Sequence, residues 1–496
     1  MIDNLRMFIL RFIKSKKDTP FIAAIAAGLY PILYYFASNF GYVNSIDHIG
    51  FFIITFIGFP FLSILFLRLV FSKIEALKAY KNYIISVLNI LWFGILLAVS
   101  TTGFNIINLI IILIATLLLG VFLAKHIKKF IVFQLFMAFV ALLYITPKLG
   151  ALIFQSTDWM QQPDNIETVV FKNTPNVYLI QPDGYANFSE LKRGHYNIDN
   201  SEFENYLKNQ GFTLYNDYRS NYFSTISSNS SLFSMKHHLY NRLVFKTVEC
   251  YKSRRIIAGN NPVIEIFKTN NYKTSLLLES EYLIANRPKV NYDYQNISFN
   301  EMPYLTQGFD IQRNLVDDLK TQMRLNSSSK NFYFIEKIIP AHIAQSRFDN
   351  LGIEGERLAY IENLKLANTW LKEMTETIEK EDPNSLVVIM ADHGGFVGMN
   401  SIYEAKIKQD DSDLVRSVFT AALAVKWPKN QIPKDLEFKT SVNFFRNLFS
   451  YLSDDKRYLN HLQEDASYLA IKKEAPFGVY KAIDKDNNVI FDKITD

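Results

Sequence analysis

Two short acidic motifs carry the chemistry that is legible in this chain. Asp392-His393-Gly394-Gly395 follows directly on the apolar run Leu386 to Met390, and Asp183 stands in Gln181-Pro-Asp-Gly-Tyr185 behind a second apolar run, Val177 to Ile180. A carboxylate and an imidazole delivered together by a buried strand form a metal-ligand pair. With a second carboxylate they make a mixed oxygen and nitrogen set that suits zinc or manganese and leaves a position open for substrate. A Ser/Thr-rich stretch around Thr225 to Met235 supplies hydroxyl groups. A bound cation would lower the pKa of such a hydroxyl, which a plain threonine or serine needs before it can attack. The chemistry this points to is that of phosphate or sulfate esters.

Strands must bring these pieces together. Apolar, β-rich runs at Val177 to Ile180, Ser275 to Leu278, Phe332 to Ile339, Leu386 to Met390 and Thr420 to Val425 alternate with helical stretches, the pattern of a mostly parallel α/β sheet covered on both faces. The clearest helix lies near Leu358 to Glu379, with a core stripe of Ile361, Leu364, Ala367, Leu371, Met374 and Ile378. Phe477 to Ile483, a turn at Asp484 to Asn488, and Val489 to Phe491 predict a hairpin beside the main sheet. Ligands in such sheets gather beyond the carboxyl ends of the strands, where Asp183 and Asp392-His393 both fall.

The first 150 residues are of another kind. Five mostly apolar stretches, Phe21 to Phe40, Gly50 to Phe71, Ile84 to Ser100, Ile106 to Ala124 and Phe130 to Thr146, have lengths that suit helices crossing a bilayer. Arg6, Arg11, Lys14, Lys16 and Lys17 precede the first; Lys73, Lys78 and Lys81 follow the second; Lys125, Lys128 and Lys129 follow the fourth. The loops Gly41 to Ile49 and Thr101 to Asn105 have no Lys or Arg. The positive-inside rule then puts the N-terminus in the cytoplasm, and five spans place the rest of the chain outside. The expected organisation is a five-helix transmembrane domain over residues 1–146, a linker over 147–170 and an extracytoplasmic catalytic domain over 171–496. A cleaved signal peptide is disfavoured, because the first apolar stretch is long and four more follow it. The single Cys250 excludes an internal disulfide, so the large domain must be held by its core. Much of the formal charge of +5 is the orienting charge just described, and nothing points to nucleic acid.

Residues 176 to 240, with Gln181-Pro-Asp-Gly-Tyr185, Ile198-Asp-Asn-Ser201, Gly211-Phe212 and Ser220-Asn-Tyr-Phe-Ser-Thr-Ile-Ser227, resemble the sulfatase-like branch of the alkaline phosphatase superfamily. Asp392-His393-Gly394 and Thr440-Ser-Val-Asn-Phe-Phe-Arg446 extend the resemblance over most of residues 170 to 470. The layout of membrane spans followed by this domain is similar to that of lipoteichoic acid synthases and membrane phosphoethanolamine transferases. The resemblance implies an alkaline-phosphatase-like sheet sandwiched by helices. It makes Asp183, Thr225, Asp392 and His393 the ligands of one divalent metal ion, zinc or manganese, and Thr225 also the nucleophile, with Ser224, Ser227 and Ser228 as alternatives. It places His342, in Pro340-Ala-His-Ile343, where the family carries a histidine that contacts substrate or protonates the leaving group. Arg347 and Asn229 are candidates for holding the ester's anionic oxygens, against plainer readings as a surface arginine and a helix-facing amide.

The departures from the family narrow the reaction. A formylglycine sulfatase has a tandem acid pair at the first strand and a Cys or Ser in a C/S-x-P-x-R motif. Here the pair is Pro182-Asp183, and Cys250-Tyr-Lys-Ser-Arg254 has Lys252 where proline belongs. A two-metal phosphatase needs further ligands, yet His461 is the only histidine after His393. The expected function is a membrane-anchored transferase that moves phosphoglycerol, phosphoethanolamine or a similar group from a membrane lipid donor to an envelope glycan or lipid acceptor through a phosphothreonine. The alternatives are a phosphoester or sulfate-ester hydrolase of the same site and a catalytically inactive scaffold in surface-polymer assembly.

Overall fold

The computed structural model describes residues 2–241, 250–305, 308–346 and 348–495. Two compact units divide at Phe154/Gln155, with residues 285–287 and 303–309 grouping with the first unit. The division falls later than the domain end expected at residue 146, because the last apolar helix runs on through Pro147 to Phe154.

In the first unit the apolar stretches are helices. Four are long and apolar enough to cross a membrane: Pro20–Ser38, Ile46–Lys73, Glu75–Thr102 and Ala124–Phe154. The fifth, Ile106–Phe122, has 17 residues, about 25 Å of helix against a hydrocarbon core of about 30 Å. Several hydroxyls on these helices bond locally. Ser100, Thr116 and Thr146 each donate to the carbonyl four residues back, at 2.7 Å in every case, which spares those three groups the cost of facing an apolar surround unpaired. Asn89 donates to Ala23 O at 2.7 Å and to the Gln134 side chain at 3.0 Å, tying three helices through one amide. A helix over Ile2–Lys14 precedes all of these, carrying Arg6, Arg11 and Lys14.

The second unit is built on a seven-stranded mixed sheet. Its strands are β1 (Val177–Pro182), β2 (Phe212–Leu214), β3 (Tyr272–Leu278), β4 (Tyr294–Gln295), β5 (Lys330–Lys337), β6 (Leu386–Met390) and β7 (Leu423–Lys426). They lie in the order β2-β7-β6-β1-β5-β3-β4, with β6, β1, β5, β3 and β4 parallel and only β7 and β2 introducing antiparallel pairs. β1 and β6 are buried along their whole length, which is why they read as unbroken apolar runs. One face packs on the Thr225–Ser234 helix through Phe233 against Phe334, ring centroids 4.9 Å apart. Tyr178 and Tyr333 stack at 4.8 Å on neighbouring strands.

The long helix predicted near Leu358 to Glu379 spans Gly352–Glu381. Five of its six stripe residues are buried, Ile361 is half-buried, and Tyr360 and Trp370 join the stripe. The C-terminal hairpin is present as β9 (Gly478–Ile483) and β10 (Val489–Lys493), and β8 (Ser467–Ile471) makes it a separate three-stranded antiparallel sheet. The strand expected from Thr420 begins only at Leu423, because Thr420 and Ala421 make isolated bridges to Arg219 and Ala186 instead.

Candidate metal centre

Strand order decides where the site forms. β1 lies between β5 and β6, parallel to both, so the chain leaves all three strands at one edge of the sheet. Ile180 is opposite Ile389, and Asp183 and Asp392 each stand three residues further on. The Pro340-Ala-His342 loop leaves β5 on the other side of β1. These loops interlock through the backbone. Asp183 N–H donates to Lys337 O at 3.0 Å, and Ala341 N–H donates to Asp183 O at 2.9 Å. Gly184 has φ +69°, and a Cβ there would sit 2.5 Å from Ala341 O. Only glycine allows both the turn and the approach.

The strand ends bring Asp183, Asp392 and His393 together, with one ligand atom from each within 4.8 Å of the others. His393 Nε2 lies 3.4 Å from Asp183 Oδ1 and 3.3 Å from Asp392 Oδ2. Thr225 Oγ1 lies 3.4 Å from Asp183 Oδ1 and 3.4 Å from His393 Nε2. These spacings are long for hydrogen bonds. They match the edges of a coordination polyhedron, since ligand atoms about 2.0–2.2 Å from one tetrahedral ion stand about 3.3–3.6 Å apart. All four residues are buried, none more than 6% exposed.

The surroundings aim each ligand atom. Asp392 Oδ1 accepts from the backbone N–H of Gly184 and of His393, both at 3.0 Å. Its Oδ2 is buried with no hydrogen bond of its own. His393 Nδ1–H donates to Gly394 O at 2.8 Å, which leaves the Nε2 lone pair facing the carboxylates. A lone pair against two carboxylate oxygens is repulsive unless a cation or proton lies between them. Burial pushes the Asp392 carboxyl up to about 6, with His393 opposing and Asp183 adding to the rise. For His393 burial works downward, but Asp392 and Asp183 outweigh it and the imidazole is held above its usual value. The residues therefore fit a divalent cation, by the orphaned Oδ2, the ligand spacing and the mixed donor set.

Thr225 is the first residue of the Thr225–Ser234 helix, placed by the helix N-terminus. Ser224 at the N-cap makes no side-chain cap, so the first-turn amides are not satisfied by it. Of the other hydroxyls weighed as nucleophiles, Ser228 donates to Tyr222 O at 2.6 Å, and Ser227 and Ser224 bond to neither Asp183 nor His393. The segment before Thr225 is pinned from the C-terminal side. Asn221 Oδ1 accepts from Val442 N–H at 2.7 Å and Ser441 Oγ–H at 3.0 Å, and its Nδ2 donates to Ala466 O at 2.8 Å. Thr440 to Arg446 thus works as a brace, and Arg446 itself is buried in a pair with Asp164 at 2.7 Å.

The His342 ring lies 6.0 Å from the His393 ring and 5.9 Å from Phe396. It is half-buried, and its Nδ1–H donates to Ile343 O at 2.7 Å. Burial, followed by the neighbouring His393, holds this imidazole below its ordinary value. Asn229 is committed elsewhere. Its Nδ2 donates to Gln181 Oε1 at 2.7 Å and its Oδ1 accepts from Gln181 Nε2 at 2.9 Å, which turns the amide toward Gln181. Arg347 lies outside the described residues. Cys250 and His461 take no part in the cluster, the one such group found among the described residues.

One carboxyl was invisible to sequence reading. Glu336, near the end of β5 and opposite Gln181, is fully buried with neither oxygen hydrogen bonded. Burial first, then Asp183 and Asp392, push it well above the usual carboxylate range. In sequence it is a lone acid at the end of an apolar run, as ordinary as a strand-end charge.

No protein-family model matches the chain, and no curated protein matches it. Among solved structures it is similar to the C-terminal periplasmic domain of EptC from Escherichia coli, at 12% identity, TM-score 0.45, covering 66% of this chain and 97% of that one. It is similar to the integral membrane lipooligosaccharide phosphoethanolamine transferase A from Neisseria meningitidis at 12% identity, TM-score 0.39, covering 79% of each chain. A third similar structure is the C-terminal periplasmic domain of the phosphoethanolamine transferase EptC from Campylobacter jejuni, at 14% identity, TM-score 0.38, covering 57% of this chain and 90% of that one. These likenesses are loose, and no residue role is carried over from them.

Proposed function

We propose that the protein is a membrane-anchored, metal-dependent transferase that moves a phosphoryl head group, such as phosphoglycerol or phosphoethanolamine, from a lipid donor to a glycan or lipid acceptor. The observation that carries this reading is the 3.3–3.4 Å spacing of ligand atoms from Asp183, Asp392 and His393, behind the ends of adjacent parallel strands, and from Thr225, at a helix N-terminus. Those four residues would hold one divalent cation, zinc or manganese. When bound, that cation supplies Lewis acidity, polarising a phosphoryl oxygen and lowering the pKa of the Thr225 hydroxyl.

The chain's own groups supply the rest. Thr225 Oγ1, its proton released to solvent beforehand, bonds to phosphorus as the lipid oxygen leaves, giving a phosphothreonine. The first-turn amides at Thr225 face the anionic phosphoryl oxygens. His342, with Nδ1–H engaged and a lowered pKa, offers Nε2 as an acceptor at neutral pH. That form suits the second half-reaction, in which it takes the proton of the acceptor alcohol while the Thr225 Oγ1–P bond breaks. The first half-reaction reverses that transfer: an anionic phosphoryl group nearby favours the protonated imidazole, which gives its proton to the departing lipid oxygen.

Membrane anchoring keeps the catalytic unit tethered to the bilayer that holds the lipid donor. We propose that Ile106–Phe122 crosses although it is short, because the loop before it lacks Lys and Arg and the segment after it has Lys125, Lys128 and Lys129. Five crossings then put residues after 154 outside the cytoplasm.

The test is incubation of the full chain, in neutral-detergent micelles, with a lipid labelled in its head group, with and without a glycan acceptor. Label trapped on the Thr225 peptide and chased onto acceptor is the expected result. Release of free head group with unlabelled acceptor makes the protein a hydrolase. Label on Ser224, Ser227 or Ser228 removes Thr225 from the mechanism, and a Thr225→Ala chain with full function in cells makes the protein a scaffold.

A further inference from the structure

A groove of about 550 Å³ opens in the second unit beside the loop that carries His342. Lys406, Lys472 and Lys473 line it, with Tyr403, Phe348 and Gln345. The lysines come from two segments that the backbone holds side by side: Lys472 N–H donates to Lys406 O at 2.8 Å, and Lys408 N–H donates to Lys473 O at 3.2 Å. Ile407 and Lys473 pair as a parallel bridge. Among the described residues neither Lys472 nor Lys473 forms an ion pair with a carboxylate. Three cationic side chains lining one groove raise its positive potential and favour an anion there.

The groove shares two segments with the metal centre. Lys406 Nζ lies 5.0 Å from the Tyr403 ring centroid and 5.3 Å from that of Phe223, two residues before Thr225. Ile402 N–H donates at 3.2 Å to the carbonyl of Ala344, two residues after His342. A ligand lying in the groove would therefore have one end next to both the nucleophile's segment and the histidine's loop.

The lining also says what kind of anion fits. The volume is in the range of small-ligand pockets, about 300–1,000 Å³. Tyr403 and Phe348 present flat apolar faces, to which the C–H face of a sugar ring is complementary, and the Gln345 amide can both donate to and accept from hydroxyls. An acyl chain would instead need an unbroken apolar path, which the three lysines interrupt. We propose that this groove binds an acidic saccharide, and that this saccharide is the acceptor whose hydroxyl takes the phosphoryl group. The assignment of the bound sugar as acceptor rests on the transferase reading; the affinity of the groove for an acidic saccharide does not.

Two measurements on the full chain in neutral-detergent micelles test it. The first is equilibrium binding of a uronic-acid oligosaccharide and of a neutral oligosaccharide of equal length, for the wild type and for Lys472→Glu/Lys473→Glu. Both lysines are exposed, and the milder Lys472→Gln/Lys473→Gln pair, expected to give an intermediate loss, separates charge from misfolding. The acidic sugar should bind about tenfold tighter than the neutral one, the preference should vanish on charge reversal, and it should weaken with added salt. Equal binding of the two sugars, or no response to charge reversal, overturns the proposal. The second is transfer kinetics, where charge reversal should raise the acceptor KM about tenfold with kcat changed by less than about twofold. A rise in the lipid donor's KM instead would make the groove a lipid path and overturn it. A wild type that releases free head group and never labels the acceptor refutes the transferase reading alone, because the binding measurement still decides the groove.

Discussion

Removing the metal should weaken the second unit, and by more as pH rises. In the metal-free site Asp392 is pushed from 3.8 up to about 6, by burial first. About two units correspond to about 3 kcal/mol. The sign follows from linkage: the folded pKa lies above the unfolded one, so the unfolded chain gives up this proton first, and stability falls as pH rises from about 4 to about 6. His393 is also raised, and its contribution is present below about 6.5 and lost as pH rises through its folded pKa. Both groups therefore make the metal-free fold less stable toward pH 8, while a divalent cation needs both deprotonated. At a thousandfold excess over its dissociation constant a cation adds about 4 kcal/mol. Thermal unfolding of the full chain in micelles at pH 5 and pH 8, with zinc, with manganese and with chelator, reads the effect. Chelation should lower Tm by several degrees at pH 8 and by little at pH 5. In Asp392→Asn the metal-dependent part should vanish at both. A metal effect that survives Asp392→Asn, or one that is larger at pH 5, refutes the site.

Further outcomes follow from single contacts. Thr225→Ala should lose covalent labelling and at least about a thousandfold in transfer, whereas Thr225→Ser should still be labelled, checked by peptide mass after incubation with lipid. His342→Gln should lower kcat by about 10²–10⁴-fold and flatten the pH profile near neutrality while leaving chelator-sensitive stability intact, as read by transfer rates across pH. Gly184→Ala should cost about 1–3 kcal/mol in denaturant unfolding, because φ is +69° and its Cβ would meet Ala341 O at 2.5 Å. Glu336→Gln should stabilise the metal-free protein at pH 8, since a buried carboxyl with no partner is replaced by a neutral isostere; unchanged or lower unfolding midpoints would contradict that.

Much of this molecule is written locally. Apolar runs fully buried in a parallel sheet have no polar face to show, so Val177 to Ile180 and Leu386 to Met390 stood out as strands, and the acids behind them as candidate ligands. The apolar helices and the charges between them are equally local, because span length and loop composition are properties of short segments. What sequence could not supply is adjacency. That β1 lies between β5 and β6 is a matter of strand order, and it alone puts Asp183 beside Asp392 and the His342 loop. That Thr225, of four neighbouring hydroxyls, lies 3.4 Å from both Asp183 and His393 depends on the helix start and on Asn221, whose partners Val442 and Ala466 are more than two hundred residues away. Glu336 acquires its character from Asp183 and Asp392, not from its neighbours in the chain. The sequence by itself determined which residue types stand at the ends of which strands, because burial and periodicity are properties of short segments. Only the tertiary structure decided which ends meet, because that depends on sheet order and on contacts between segments far apart in the chain.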